Sequence, residues 1–242
     1  MALGRSERII RFCAAVALLP LCVAVTCTAR DMLAASAAAG DRFLVSVLAL
    51  AGGGIAWACV YIFLPHPVRM YILGHELTHA IWGMVFGARF SNLKVSDSGG
   101  SVRLTKTNTL ITLAPYFFPF YTMLLALVWF VLGKFADLSP CLPLFLFLVG
   151  ATWSFHITFT FNSLLIRQPD IAACGRFFSY VLIYLLNVAG IGLWIVCATP
   201  VPDTALAEAL CTHTWRAYAW TAAMLQRAAH PLARMLGQRC RM

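Results

Sequence analysis

Residues 74–80 read Gly-His-Glu-Leu-Thr-His-Ala, which brings two imidazoles and a carboxylate together at a spacing that can hold and use a metal ion. Histidines four residues apart lie on one face of a helix, so His75 and His79 can both reach a single zinc. Glu76, next to the first of them, is then placed to take a proton from a water that the zinc acidifies. With six His and three Glu in 242 residues, an accidental HExxH pattern is expected in roughly one of 500 chains of this composition. The segment around the motif, about 67–87, is apolar and reads as a membrane helix. Ionisable side chains at membrane depth are rare unless they have a role. A helix-packing cluster of two hydrogen-bonded histidines is the plain alternative, and it ranks below zinc hydrolysis.

The elements that must position these groups follow from composition. Hydrophobic residues make up 61% of the chain and charged residues 11%, with a mean hydropathy of +0.82. A soluble domain has about a quarter of its residues charged, so lipid is the main solvent here. Six apolar stretches, about 9–28, 43–64, 67–87, 109–132, 141–163 and 174–198, each approach the ~20 residues that cross a hydrocarbon core as a helix. The expected fold class is an all-α polytopic membrane protein of about six transmembrane helices. It has a short β-hairpin between the third and fourth and a C-terminal amphipathic interfacial helix. Three regions follow: an N-terminal helix pair serving as scaffold (1–66), a membrane-embedded core (67–199) and a basic amphipathic tail (200–242).

Arg5, Arg8 and Arg11 precede the first apolar run, as in a signal peptide, but its length and the poor cleavage site at Cys27-Thr28-Ala29 favour a retained signal anchor. Gly52, Gly53 and Gly54 suit close helix contact, and Gly83 with Gly87 forms a small-xxx-small pair that suits packing of another helix. Pro65-His66-Pro67 turns the chain into the third helix, which leaves His66 as a solvated turn residue. In 88–108, apolar and polar side chains alternate on either side of Asp97-Ser98-Gly99-Gly100, the pattern of a β-hairpin. Between membrane helices such a hairpin lies at the surface or lines a cavity, and its edge can pair with an extended substrate. Pro115 and Pro119 predict a kink in the fourth stretch, and the aromatic run Tyr116–Tyr121 reads as lipid or helix packing.

The net charge of +9 is spread over loop ends and the tail without an aromatic-basic patch, so it marks topology and lipid contact, with no nucleic acid implied. If six spans alternate, both termini share one side, and the larger number of Lys and Arg there favours cytoplasmic termini. The nine cysteines lie mostly in apolar stretches without a CxxC pair and read as packing residues. In the tail, Arg216, Arg227, Arg234 and Arg241 fall on one helical face near Trp215, Trp220, Leu225 and Leu232. This describes a helix in the membrane interface, interrupted near Pro231.

A catalytic zinc needs three protein ligands. The only later glutamate, Glu208, sits in the tail, whereas Asp170 follows an apolar helix in the run from Phe161 to Asp170. His156 is a weaker further possibility. A histidine motif in a membrane helix, then a hairpin, a helix, and Asn162 followed eight residues later by Asp170, resembles the site-2 protease family of intramembrane zinc metallopeptidases over about 70–185. Leu165 and Ile171 depart from that family, which usually has proline and glycine at these positions; Pro169 and Gly175 stand nearby.

The resemblance implies His75, His79 and Asp170 as zinc ligands, Glu76 as general base and Asn162 as polar support in the active site. It also implies membrane-protein substrates cleaved in or near their spanning segments, and a multi-pass protein of the bacterial cytoplasmic membrane. A catalytically silent relative that binds a partner, or a metal-binding transporter, would not need Glu76. If Asp170 is a ligand, a straight helix carries it too far along the axis, so a helix break is expected close to 165–171, facing the histidines across a small polar cavity.

Overall fold

The computed structural model describes the backbone of residues 4–37, 40–96, 99–198 and 203–239, with the side chains of 41–42, 196–198, 203 and 230–239 left out of the description. It is mainly helical. Helix α1 (Arg5–Ala37) is followed by α2 (Asp41–Phe63) and α3 (Val68–Val85), and then by the hairpin strands β1 (Phe90–Ser96) and β2 (Gly99–Leu104). Next come α4 (Thr109–Leu113), a 3-10 turn at Ala114–Tyr116, α5 (Phe120–Leu132), α6 (Leu142–Leu165), α7 (Pro169–Cys174), α8 (Arg176–Ala198) and α9 (Asp203–Arg239).

Four segments, Arg5–Ala37, Phe43–Phe63, Ser139–Leu165 and Arg176–Ile195, are long and apolar enough to cross a membrane. The pair Thr109–Tyr116 and Phe120–Leu132 adds a fifth if it is one broken span; its halves meet at 85°. This is far sharper than a proline kink, because Pro115 and Pro119 fall four residues apart and each removes a backbone donor. Outward side chains of these helices are large and apolar, with Ile62, Phe63 and Phe130 each more than 60% exposed, as expected of surfaces that meet lipid. The count among the described residues is four or five, against six apolar stretches in the sequence.

Helix α3 accounts for part of the difference. Its 18 residues include Arg69, His75, Glu76 and His79, which lower its apolar content. Protein covers it instead: Gly74, Glu76, Thr78, His79, Ala80 and Gly83 are all buried. Enclosure by protein is what a helix carrying ionisable groups requires.

The hairpin supplies one side of that enclosure. Strands β1 and β2 pair antiparallel, with Phe90 opposite Leu104, Lys94 opposite Ser101 and Ser96 opposite Gly99. An irregularity falls between Ser91 and Lys94, where Asn92 takes φ 52°. A bulge of this kind twists an edge. Asp97 and Ser98 of the expected turn lie outside the described residues. Strand β2 runs along α3, and a Cβ built on Gly83 would stand 2.9 Å from Leu104 Cδ2. Gly83 therefore admits a strand, where the small-residue spacing suggested a helix. Gly87, at φ 70°, ends α3 in the left-handed region that favours glycine.

The two N-terminal helices do not pack mainly on each other. Helix α2 lies along α6, and α1 lies along α8 and α9. Gly53 and Gly150 make the first contact possible: a side chain at either would collide with backbone, at Phe147 O and Leu50 O respectively. At the α1–α8 contact, Ala15, Cys22 and Val25 pack with Val181 and Leu185.

Helix α9 continues through Pro231 to Arg239 without the interruption expected there. Its first half is tied to α1: the His213 ring bonds Asp31 Oδ2 at 2.7 Å, and the Tyr218 hydroxyl donates to Ala17 O at 2.8 Å. Trp215, Trp220 and Leu225 stay exposed. The side chains of Leu232, Arg234 and Arg241 lie outside the described residues.

Candidate metal centre

Helix α3 presents His75 and His79 one turn apart, and the rings meet edge to face with centroids 4.9 Å apart. Asp170 reaches them because α6 stops. Ile166 leaves the helix in an extended conformation, and Pro169 then opens the six-residue α7. Proline lacks the N–H that would continue α6, and it is well suited to a first helical turn. Gly175 ends α7 at φ 84°, a conformation that disfavours any side chain. The expected break near 165–171 is thus present, and it folds Asp170 back towards α3.

The three groups converge on one point. Asp170 Oδ2 is 3.4 Å from His75 Nε2 and 3.4 Å from His79 Nε2. All three potential ligand atoms lie within 4.8 Å of one another. Bonds of ~2.05 Å in a tetrahedral zinc site imply ligand-to-ligand edges of ~3.3 Å, so the spacing suits an ion between them. A direct imidazole–carboxylate pair closes further, as His213 and Asp31 do at 2.7 Å. The donor set fits a metal that accepts nitrogen and oxygen ligands, zinc among them.

The ring orientation of His79 is set by the chain's own backbone. His79 Nδ1 lies 2.9 Å from Ile111 O. A carbonyl can only accept, so Nδ1 carries the proton and Nε2 keeps its lone pair for the site. Ile111 O is available because of Pro115: in a continuing helix the residue four positions on would donate to it, and proline has no N–H. Asn108 starts this short helix by accepting from Ile111 N at 2.9 Å. His75 has a looser partner, the Tyr71 hydroxyl at 3.4 Å from Nδ1, and that hydroxyl is held 2.7 Å from Ser163 Oγ.

The group opens on a cavity of about 930 Å³, larger than the small one expected. Glu76, Asn162 and β2 residues 99–102 line it together with His75, His79 and Asp170. Glu76 is buried and covered by β2: a Cβ at Gly100 would stand 2.7 Å from Glu76 Cγ and 2.9 Å from Oε1. Asn162 is on the wall, and its amide donates to the Tyr61 hydroxyl at 2.6 Å. His66 is exposed, as expected of this turn. It stacks on Tyr61 at 4.2 Å, bonds Tyr61 O at 2.9 Å and lines the same cavity. His156 stands outside the ligand group, buried and without a hydrogen-bond partner at Nε2.

Tyr61, Tyr71, Ser163 and the Ile111 carbonyl were not singled out from the sequence. Tyr61 belongs to α2, so the region read as scaffold contributes to the cavity wall. The nearest sequence signal for the Ile111 carbonyl is Pro115, four positions on.

Comparisons of the chain with protein-family models, with curated proteins and with solved structures returned no match.

Proposed function

We propose that this chain is an intramembrane zinc metallopeptidase similar to site-2 proteases, cleaving peptide bonds in or near the spanning segments of other membrane proteins. The observation that carries this reading is the convergence of His75, His79 and Asp170 across a helix break, with Glu76 on the same cavity. A site that only stores or carries a metal does not require a further, non-ligating carboxylate on the same cavity, whereas hydrolysis requires a base there. That consideration favours hydrolysis over a silent binding protein or a transporter.

A bound zinc would supply Lewis acidity to the scissile carbonyl and make a water molecule nucleophilic near neutral pH. Glu76 accepts the proton lost by that water as it adds to the carbonyl carbon. It returns the proton to the amide nitrogen as the C–N bond breaks, leaving a carboxylic acid and an amine, and the acid proton then passes to the amine to give a carboxylate and an ammonium. His75 and His79 hold their Nε2 atoms towards the reacting centre, and Asn162 with Tyr61 shapes the cavity wall. A membrane-spanning substrate hides its carbonyls in helical hydrogen bonds and must unwind to react. Strand β2, paired with β1 on one edge and lining the cavity, offers backbone groups to an extended segment. The place of work is a bilayer, proposed to be the bacterial cytoplasmic membrane with the chain crossing it several times.

The test uses purified full-length protein in detergent or lipid with a model transmembrane substrate. Cleavage should require zinc, stop with a chelator and disappear in Glu76→Gln while the metal stays bound. Substantial cleavage by Glu76→Gln would sink the mechanism.

A further inference from the structure

We propose that Tyr116, held in place by Asn187, is a positioning residue for the third metal ligand, Asp170; the inference rests on the metal-site reading above. The hydroxyl of Tyr116 donates to Asp170 Oδ2 at 3.2 Å. That oxygen is the one equidistant from the two imidazoles. Its ring lies edge-on to His75, with centroids 5.3 Å apart and planes at 87°. One buried side chain therefore bonds the carboxylate ligand and packs on an imidazole ligand, and its own accessibility is 0%.

Asp170 needs such a clamp. It sits in the first turn of a helix only six residues long, just after the break between α6 and α7, where α7's own backbone gives it little rigidity. The backbone of α7 is tied from two sides: Ser179 Oγ donates to Ile171 O at 3.3 Å, and Arg11 donates to Ala173 O at 3.2 Å. Neither contact sets the carboxylate. Apart from the histidines, the Tyr116 hydroxyl is the hydrogen-bond partner of Asp170 Oδ2 among the described residues.

Asn187 completes the relay from α8. Its Nδ2 donates to Tyr116 O at 2.9 Å and to Ile183 O at 2.8 Å. This leaves Asn187 Oδ1 buried without a partner. The reverse orientation would press the amide oxygen against two carbonyls, so the donor contacts decide which way the amide points. Tyr116 follows Pro115 in a 3-10 turn, and Asn187 is what fixes that turn's carbonyl to the core. Hydrogen bonds to metal ligands commonly govern ligand orientation and affinity, and losing one typically costs 10–100-fold in metal binding.

The experiment measures zinc affinity by competition with a chromogenic chelator, and the visible absorption of the cobalt(II)-loaded protein, in full-length wild type, Tyr116→Phe, Asn187→Leu and the control Tyr121→Phe. Tyr121 bonds Met70 O and carries its hydroxyl elsewhere. Tyr116→Phe is expected to weaken zinc binding about 10–100-fold and to change the cobalt bands. Asn187→Leu should shift both in the same direction by less, and the control should match wild type. Wild-type affinity and an unchanged cobalt spectrum in folded Tyr116→Phe would overturn the proposal. If that variant does not fold, the same two readouts on Asn187→Leu decide. A wild-type protein that binds neither ion would overturn the metal-site reading and this proposal with it, whereas tight wild-type binding with an indifferent Tyr116→Phe would overturn the positioning role alone.

Discussion

Gly100 of β2 lies so close to Glu76 of α3 that a methyl group at position 100 would overlap the Glu76 side chain, with Cβ 2.7 Å from Cγ and 2.6 Å from Ile72 Cγ2. Real Cβ atoms do not approach that closely, so β2 or the Ile72 and Glu76 side chains of α3 would have to shift to admit one. The absence of a side chain at 100 is therefore what lets the hairpin cover the proposed base.

Gly100→Ala should push β2 off Glu76 without touching the metal ligands. Expected are a fall in cleavage of at least about tenfold, in line with the cost of small displacements near reacting groups, and unchanged zinc content. Metal analysis beside a cleavage assay measures both. Full activity would mean that the covering strand has no part in the reaction.

Removal of a ligand should act differently. His79→Ala and Asp170→Ala should each lose the bound zinc, from about one per chain to near none, as read by metal analysis after dialysis. Retention of zinc by Asp170→Ala would pass the third-ligand role to another group, with His156 the next to substitute.

Pro115 offers a test in which no ligand is altered. Pro115→Ala restores an N–H that can bond Ile111 O in place of His79 Nδ1. The tautomer of His79 would then be less firmly held, and zinc binding should weaken about tenfold or more. Zinc competition measures this, and ¹⁵N NMR of the imidazoles reports the tautomer. An unchanged His79 spectrum would show that the carbonyl does not select it.

The α2–α6 contact should be intolerant of volume. At Gly150 an added Cβ would collide with Leu50 O, and at Gly53 with Phe147 O. Gly150→Val is expected to destabilise by about 1–3 kcal/mol, the usual cost of overpacking, seen as a lower unfolding midpoint in detergent. Because α2 carries Tyr61 and α6 carries Asn162, the 2.6 Å bond between those residues should also be lost, and cleavage should drop with it.

Much of this was legible in the chain alone. The apolar runs announce helices that can cross a membrane, and the i, i+4 histidines announce part of a group that could hold a metal, because both depend only on local spacing and composition. The hairpin was visible in its alternation. So was the break before Asp170, since Pro169 cannot continue a helix and a straight one would carry the carboxylate out of reach. What only tertiary structure decided are the relations between segments distant in sequence. Local pattern could not say that α2 pairs with α6, or that α9 returns along α1. It could not show α3 covered by a strand at Gly83 and Gly100 in place of a helix, since a small residue admits either. The partners of the three proposed ligands, Ile111 O, Tyr71 and Tyr116, were hidden for the same reason. A backbone carbonyl has no sequence signature, and a tyrosine in an aromatic run looks like lipid packing until its hydroxyl is found beside a carboxylate.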